Sequence, residues 1–209
     1  MILHGYFRSS AAWRVRIALN LKGLSAEPRY THLRKGEQHS PDYLAVNPQG
    51  LLPSLILDDG AVLTQSLAIC EYLDETHPEP PLLPTDAATR AHVRAFAQVV
   101  ACDIHPLQNL RVLKALAARG HTPEETQGWA QEVITRGFDA LETLVAGQSN
   151  PFAFGERPSL ADICLVPQVG NARRFGVEMR WPRLQAIEAA CAALPAFADA
   201  HPDRQPDAE

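Results

Sequence analysis

What the chain lacks sets its first limits. None of its apolar runs is long enough to cross a bilayer. Its first residues lack the charged region, apolar core and small-residue cleavage site of a secretory signal. It has only four cysteines, Cys70, Cys102, Cys164 and Cys191. They are far apart and form no C-x-x-C, so neither a disulfide framework nor a zinc motif is present. Each falls in a helical, largely apolar stretch and reads as a reduced, buried thiol. His4, His32, His39, His77 and His121 have no ligand spacing and read as surface or turn residues, so no metal is expected. Basic charge is not in excess: 19 Lys and Arg against 24 Asp and Glu leave a formal net charge of -5. That balance argues against a non-specific phosphate-backbone binder. Repeats and low-complexity tracts are absent. The expectation is a cytoplasmic globular protein whose 209 residues make one or two domains.

The first third alternates between two periods. Ile2–Tyr6 reads as a strand and Ala11–Lys22 as an amphipathic helix with Trp13, Ile17, Leu21 and Ala18 inward, closed by Gly23. Glu27–Leu33 reads as a second strand, and Pro41–Val46 as one or two helical turns. Leu52–Leu57, the Asp58-Asp59-Gly60 turn and Ala61–Thr64 make a hairpin. Gln65-Ser66 opens a helix with Leu67, Ile69, Cys70, Tyr72 and Leu73 on its apolar side. The order β-α-β-α-β-β-α requires a crossover, hence parallel strands, in its first half.

Pro78-Glu79-Pro80-Pro81 with Pro84 interrupts any helix or central strand, and a domain boundary is placed there. The expected domains are 1–80 and 86–209. Beyond Asp86 every pattern is helical. Pro106 must bend or break the alanine-rich run from Ala87 to about Ala118. Thr122-Pro123-Glu124-Glu125 and Ser159-Leu160-Ala161-Asp162 are helix starts of the capping-box kind. Asp162 is therefore assigned to structure. Trp181-Pro182 opens a further helix, a short one follows Pro195, and the tail from Asp203 is expected to fray.

Two helix starts carry chemistry. Ser9 and Ser10 follow a strand directly, where helical N–H groups lack partners and the dipole is positive. Such a turn suits an anion, a thiolate included, although a serine before a helix is also an ordinary N-cap. Gln65-Ser66 offers the same features for a carboxylate.

These residues also carry a resemblance. Arg8-Ser9-Ser10-x-x-Trp13-Arg14-Val15-Arg16-Ile17-Ala18-Leu19 resembles the zeta-class glutathione transferase signature. Asn47-Pro48-Gln49-Gly50-Leu51-Leu52-Pro53, Gln65-Ser66-Leu67-Ala68-Ile69 and Asp103-Ile104-His105-Pro106-Leu107-Gln108-Asn109-Leu110 are similar too. So are Ala161-Asp162 with Leu165-Val166-Pro167-Gln168, and Gln205-Pro206-Asp207. The resemblance spans nearly the whole chain. It implies a glutathione transferase fold: a thioredoxin-like N-terminal domain followed by an all-helical C-terminal domain. Ala11 departs from the pattern, standing where Cys is frequent, so any catalytic sulfur must come from glutathione.

The resemblance implies roles for single residues. Ser9 is the main thiol donor and Ser10 its helper. Pro53 is a cis-proline, and Leu52 meets glutathione through its backbone. Gln65 and Ser66 hold the γ-glutamyl carboxylate, and Gln38 lies toward the glycyl end. His105, Asn109 and Arg111 reach toward glutathione or a neighbouring subunit. Arg8 and Arg174 anchor the two carboxylates of the substrate, and Arg173 beside Arg174 reads equally well as a surface charge. The implied activity is glutathione-dependent cis–trans isomerisation by a homodimer. Maleylacetoacetate, in tyrosine and homogentisate breakdown, is the first substrate and maleylpyruvate the second. A transferase or dehalogenase of small α-halo acids is the enzymatic rival, and a glutathione-binding module the non-enzymatic one.

Overall fold

The alternating signals of the first third become β1 (Ile2–Gly5), α1 (Ser10–Leu21), β2 (Glu27–Tyr30), α2 (Pro41–Val46), β3 (Ser54–Ile56), β4 (Val62–Thr64) and α3 (Ser66–Thr76). The coordinates are a computed structural model that describes residues 1–209. The sheet order is β2-β1-β3-β4, with β1 and β2 parallel and the other two pairings antiparallel. Every residue of β2 is exposed and Pro28 interrupts its donors, as an edge strand tolerates. Leu3 faces Leu55 across β1 and β3, and both are buried.

α1 differs from its expected stripe. Ser10 to Val15 and Ile17 to Leu19 are all buried, so the helix is enclosed on nearly every side. Leu21, placed inward by periodicity, is less buried than Arg14 or Val15. The helix ends at Gly23, whose φ of +64° lets Leu24 N–H reach back to Leu19 C=O at 2.9 Å. Lys22 then turns inward. Its Nζ donates to Asp74 Oδ1 and to the carbonyls of His77 and Pro80, each at 2.6 Å, so its three protons all have acceptors.

The structure corrects three expectations in this part. His4 is not a surface residue: it sits in β1 with its ring centroid 5.4 Å from that of Tyr43, and burial lowers its pKa. The tail does not fray. Asp207 Oδ2 accepts from Phe7 N–H at 2.9 Å, and Glu209 pairs with His32 and Arg34. Half-buried Arg16, pulled down to about 10 by desolvation, donates to the carbonyls of Ala200 and Phe7, both at 3.1 Å. Such a guanidinium needs acceptors, and the returning chain supplies one. The second domain accordingly does not run to the C-terminus. The compact units are Met1–Leu82 with Ala193–Glu209, and Leu83–Ala192. α9 (Pro195–Asp199) packs on α1.

The second unit is helical: α4 (Ala87–Gln98), α5 (Leu110–Ala117), α6 (Pro123–Leu144), α7 (Leu160–Arg174) and α8 (Pro182–Ala192). The break at Pro106 is approached through a π-helical turn, Val99–Ile104. Here α6 comes close, because a Cβ on Gly137 would lie 2.3 Å from Ile104 side-chain atoms. Phe96, Ile134, Phe138, Leu141 and Ile163 belong to the core. Both capping boxes form. Asp162 is buried and accepts from the Ser159 and Ala153 amides at 2.8 and 2.9 Å; burial pushes its carboxyl pKa up against those bonds. Cys70, Cys164 and Cys191 are buried, but Cys102 is exposed, since the π turn rotates it outward. No helix is long and apolar enough to cross a membrane.

Candidate active site

The strand-to-helix turn is built from backbone bonds. Ser9 N–H donates to Tyr6 C=O at 2.9 Å, and Trp13 N–H to Ser9 C=O at 2.8 Å. Ser9 is the N-cap of α1, its Oγ accepting from Ala12 N–H at 3.2 Å. A hydroxyl that accepts still has its own proton to give. Ser9 thus satisfies the helix start and remains a donor at its positive end. Ser10 and Ala11 follow, both buried. Arg8 is exposed, its guanidinium 6.0 Å from the Phe7 ring centroid.

A second arm begins at α2, which Ser40 caps. Tyr43 Oη donates to Leu51 C=O at 2.6 Å and lies 2.9 Å from Ser54 Oγ. Asn47 donates to the same carbonyl and accepts from Gln49 N–H, closing the Asn-Pro-Gln-Gly turn. Gly50 has φ +62°, and a Cβ there would lie 2.8 Å from His39 Nδ1 and 3.1 Å from Gln38 C=O. The turn therefore holds the Gln38 segment against the approach to Leu52-Pro53, whose peptide bond is cis. Gln38 is buried and its Oε1 has no hydrogen-bond partner.

Gln49 Oε1 accepts from Gln65 Nε2 at 2.9 Å. Gln65 is the only non-glycine residue with positive φ, +68°. That strain aims the start of α3 and is the kind of outlier that accompanies ligand sites. Ser66 follows, buried, its Oγ accepting from Arg14 Nη1 at 3.2 Å. Contacts and bonds within the first unit thus link Gln38, Gln49, Gln65, Ser66 and α1.

In the second unit His105, Asn109 and Arg111 do not share one helix face. His105 ends the π turn, Asn109 caps α5, and Arg111 lies inside α5. The Asn109 side chain accepts from Arg111 N–H at 2.9 Å. Arg174 ends α7, its Nη2 bonded to Asn171 Oδ1 at 2.7 Å and its guanidinium 5.3 Å from the Phe175 ring centroid. Arg173 is the surface charge of the pair, bound to Glu188.

Sequence reasoning passed over Arg14, Tyr43, Asn47 and Asp207 as working residues. Only Arg14 left a local signal, a cation among apolar residues of a helix.

Comparison with known proteins agrees with this architecture. The family model described as glutathione S-transferase, N-terminal domain, matches residues 3–81, and the C-terminal domain model matches 87–200. A probable maleylacetoacetate isomerase of Vibrio cholerae is 51% identical, covering 100% of this chain and 98% of its own. A holo structure of a bacterial zeta-class maleylpyruvate isomerase has a TM-score of 0.97 at 45% identity, with both chains covered completely. A maleylacetoacetate isomerase from Methylobacterium extorquens AM1, with bound malonate and glutathione, has a TM-score of 0.96 at 43% identity, again with both chains covered completely. The chain belongs to the glutathione S-transferase family and, within it, to the zeta class.

Proposed function

We propose that the protein is a glutathione-dependent cis–trans isomerase of a four-carbon-end diketo acid, maleylacetoacetate first and maleylpyruvate second. One observation carries the reading. Two helix starts, α1 at Ser9 and α3 at Gln65-Ser66, belong to one unit; neither has an acidic residue in its first turn, and α3 has no side-chain cap bond. They suit a ligand with a thiolate and a carboxylate. The residues present fit glutathione: Ser9 and Ser10 toward its sulfur, Leu52 toward its peptide, Gln65 and Ser66 toward the γ-glutamyl carboxylate, and Gln38 toward the glycyl end. Bound glutathione supplies the sulfur nucleophile that makes the substrate's double bond free to rotate. The chain's part is to stabilise negative charge on that sulfur, through the Ser9 proton and the α1 N–H groups.

Arg8 is the proposed anchor for one substrate carboxylate and Arg174 for the other, since a guanidinium fork suits a carboxylate. The relative crystallised with glutathione and malonate, a small dicarboxylate, supports this substrate class. His105, Asn109 and Arg111 are retained as weaker contacts to glutathione. A homodimer is also proposed: α5 buries none of its residues, and Leu107, Leu110 and Trp129 are exposed. Its place is the cytoplasm, in tyrosine breakdown; four free cysteines suit a reducing compartment. The test is turnover of both cis acids with and without glutathione. Isomerisation that proceeds equally without glutathione, or glutathione consumed in proportion to product, refutes the reading.

A further inference from the structure

α7 carries two amide side chains into an apolar stretch. Gln168 is fully buried and Asn171 is only 4% exposed, among the core residues Ile163, Leu165, Val169 and Ala172. With Arg174 they stand three residues apart, so all three lie along one side of the helix. Arg174 Nη2 donates to Asn171 Oδ1 at 2.7 Å. Arginine offers no acceptor, so the Asn171 amide must turn its oxygen to the guanidinium and its nitrogen away. That nitrogen donates to Gln168 Oε1 at 3.5 Å. The second amide is thereby oriented too, and its Nε2 is left buried without a partner. An unmet buried donor is unfavourable, and an apolar side chain would fill the place without one. The amide pair therefore serves something besides packing, and the ladder ends on the exposed Arg174.

The end of α7 is braced as well. Gly176, at φ +73°, donates its N–H to Arg173 C=O at 3.0 Å, and Val177 N–H donates to Ala172 C=O at 2.9 Å, closing a Schellman turn. Gln127 and Gln131 of α6 both donate to Phe175 C=O, at 3.1 and 2.8 Å. The Arg174 guanidinium lies 5.3 Å from the Phe175 ring centroid. A long side chain that otherwise spreads over many rotamers is held here at a fixed helix end. The kind of hold matters. Arg173 is bound by a carboxylate, Glu188, which offsets its charge. Asn171 holds Arg174 by a neutral amide, which orients a guanidinium and leaves its charge in place.

We propose that Asn171 is a positioning residue for dicarboxylate specificity: backed by Gln168, its neutral amide aims the Arg174 guanidinium at a substrate carboxylate without neutralising it. This rests on the reading of Arg174 as a substrate anchor and names what prepares that arginine.

The test measures kcat/KM for maleylacetoacetate isomerisation and for conjugation of a neutral nitroaryl chloride. The proteins are the wild type, Asn171→Ala, Asn171→Asp, Arg174→Ala and the double variant Asn171→Ala/Arg174→Ala. Asn171→Ala releases the guanidinium and should lower isomerisation by about two- to tenfold, the scale of ordering one long side chain. Asn171→Asp keeps the shape and the hydrogen bond but adds a competing carboxylate. It should therefore do worse, by about ten- to a hundredfold. Conjugation should stay unchanged in both. In the Arg174→Ala background, Asn171→Ala should cost nothing further, because Asn171 acts through that guanidinium. Isomerisation by Asn171→Asp that equals or exceeds that of Asn171→Ala means the residue only supports the helix end, and overturns the proposal. Equal loss of both activities, or a full further loss in the double variant, overturns it too. Should Asn171→Asp not fold, Asn171→Ala decides: unchanged isomerisation, or a parallel fall in conjugation, overturns the proposal. If Arg174→Ala isomerises as well as the wild type, the anchor reading itself fails and the proposal with it, a result distinct from the others.

Discussion

Ser9 has two jobs that substitution can separate. As N-cap it accepts from Ala12 N–H, and as donor it retains a proton for a bound thiolate. Ser9→Ala removes both. Loss of a cap costs about 1 kcal/mol, which for a chain of this size lowers Tm by about 2–4 °C. A hydrogen bond to a charged group is worth about 1.5–3 kcal/mol, so the pKa of bound glutathione should rise by about 1–2. Ser9→Gly also removes the donor, but a glycine cap costs only a few tenths of a kcal/mol relative to serine. The Ser9 backbone, at φ -72° and ψ 109°, accepts any residue. Ser9→Thr keeps both roles.

The two readouts should therefore diverge. The thiol pKa, followed by ultraviolet titration of the bound thiolate, should rise equally in Ser9→Ala and Ser9→Gly and stay low in Ser9→Thr. Stability should fall clearly only in Ser9→Ala. Turnover should drop by about ten- to a hundredfold in both, less than the 10²–10³ typical of an oxyanion donor, because the α1 N–H groups and Ser10 remain. If the thiol pKa follows Tm across the series, or is unshifted in both Ser9→Ala and Ser9→Gly, Ser9 is a cap and the helix start alone activates the sulfur.

Three further outcomes are expected. Arg8→Ala and Arg174→Ala should each lower kcat/KM for the dicarboxylate isomerisation by about one to two powers of ten and leave conjugation of a neutral nitroaryl chloride intact; parallel loss of both activities refutes the anchor assignment. Asp207→Ala should strip the acceptor from Phe7 N–H, costing about 1–3 kcal/mol and speeding hydrogen exchange at Phe7, whereas Asp207→Asn should keep most of the bond; unchanged exchange in Asp207→Ala means the tail does not hold the turn. His4 should titrate below the ordinary histidine value of 6.5, lowered by burial and then by Arg29. The fold prefers its neutral ring, so this contribution to stability is complete above 6.5 and is lost as pH falls through the lower folded value. A normal NMR titration of His4 refutes it.

What was legible in the sequence was what local rules govern. Capping boxes at Thr122 and Ser159 and the turn at Asp58-Asp59-Gly60 are written in neighbouring residues, and they stand where expected. The break at Pro106 follows from a missing donor. Its approach through a π turn did not show, because nothing in Val99–Ile104 forbids an ordinary helix; the outward turn of Cys102 went with it. His105, Asn109 and Arg111 are divided in the same way, His105 ending the π turn and the chain restarting as α5 at Asn109.

Tyr43 and Asn47 bond to residues close in sequence, but other contacts that sequence reasoning missed lie far along the chain. Arg14 meets Ser66, Lys22 meets Asp74, and Phe7 meets Asp207. Periodicity reports only how a residue faces its own element, and for α1 it gave one apolar stripe because one core was assumed. The helix is instead enclosed by α3, the sheet and the returning C-terminus, so Arg14 is buried on a side that an isolated amphipathic helix would leave wet. A charged residue there contradicts the hydrophobic logic of its surroundings. Within a locally consistent sequence such contradictions concentrate where function requires them. By that criterion the guanidinium behind Ser66 stands out more than the two serines that first drew notice, since those serines would be acceptable caps in a protein that bound nothing.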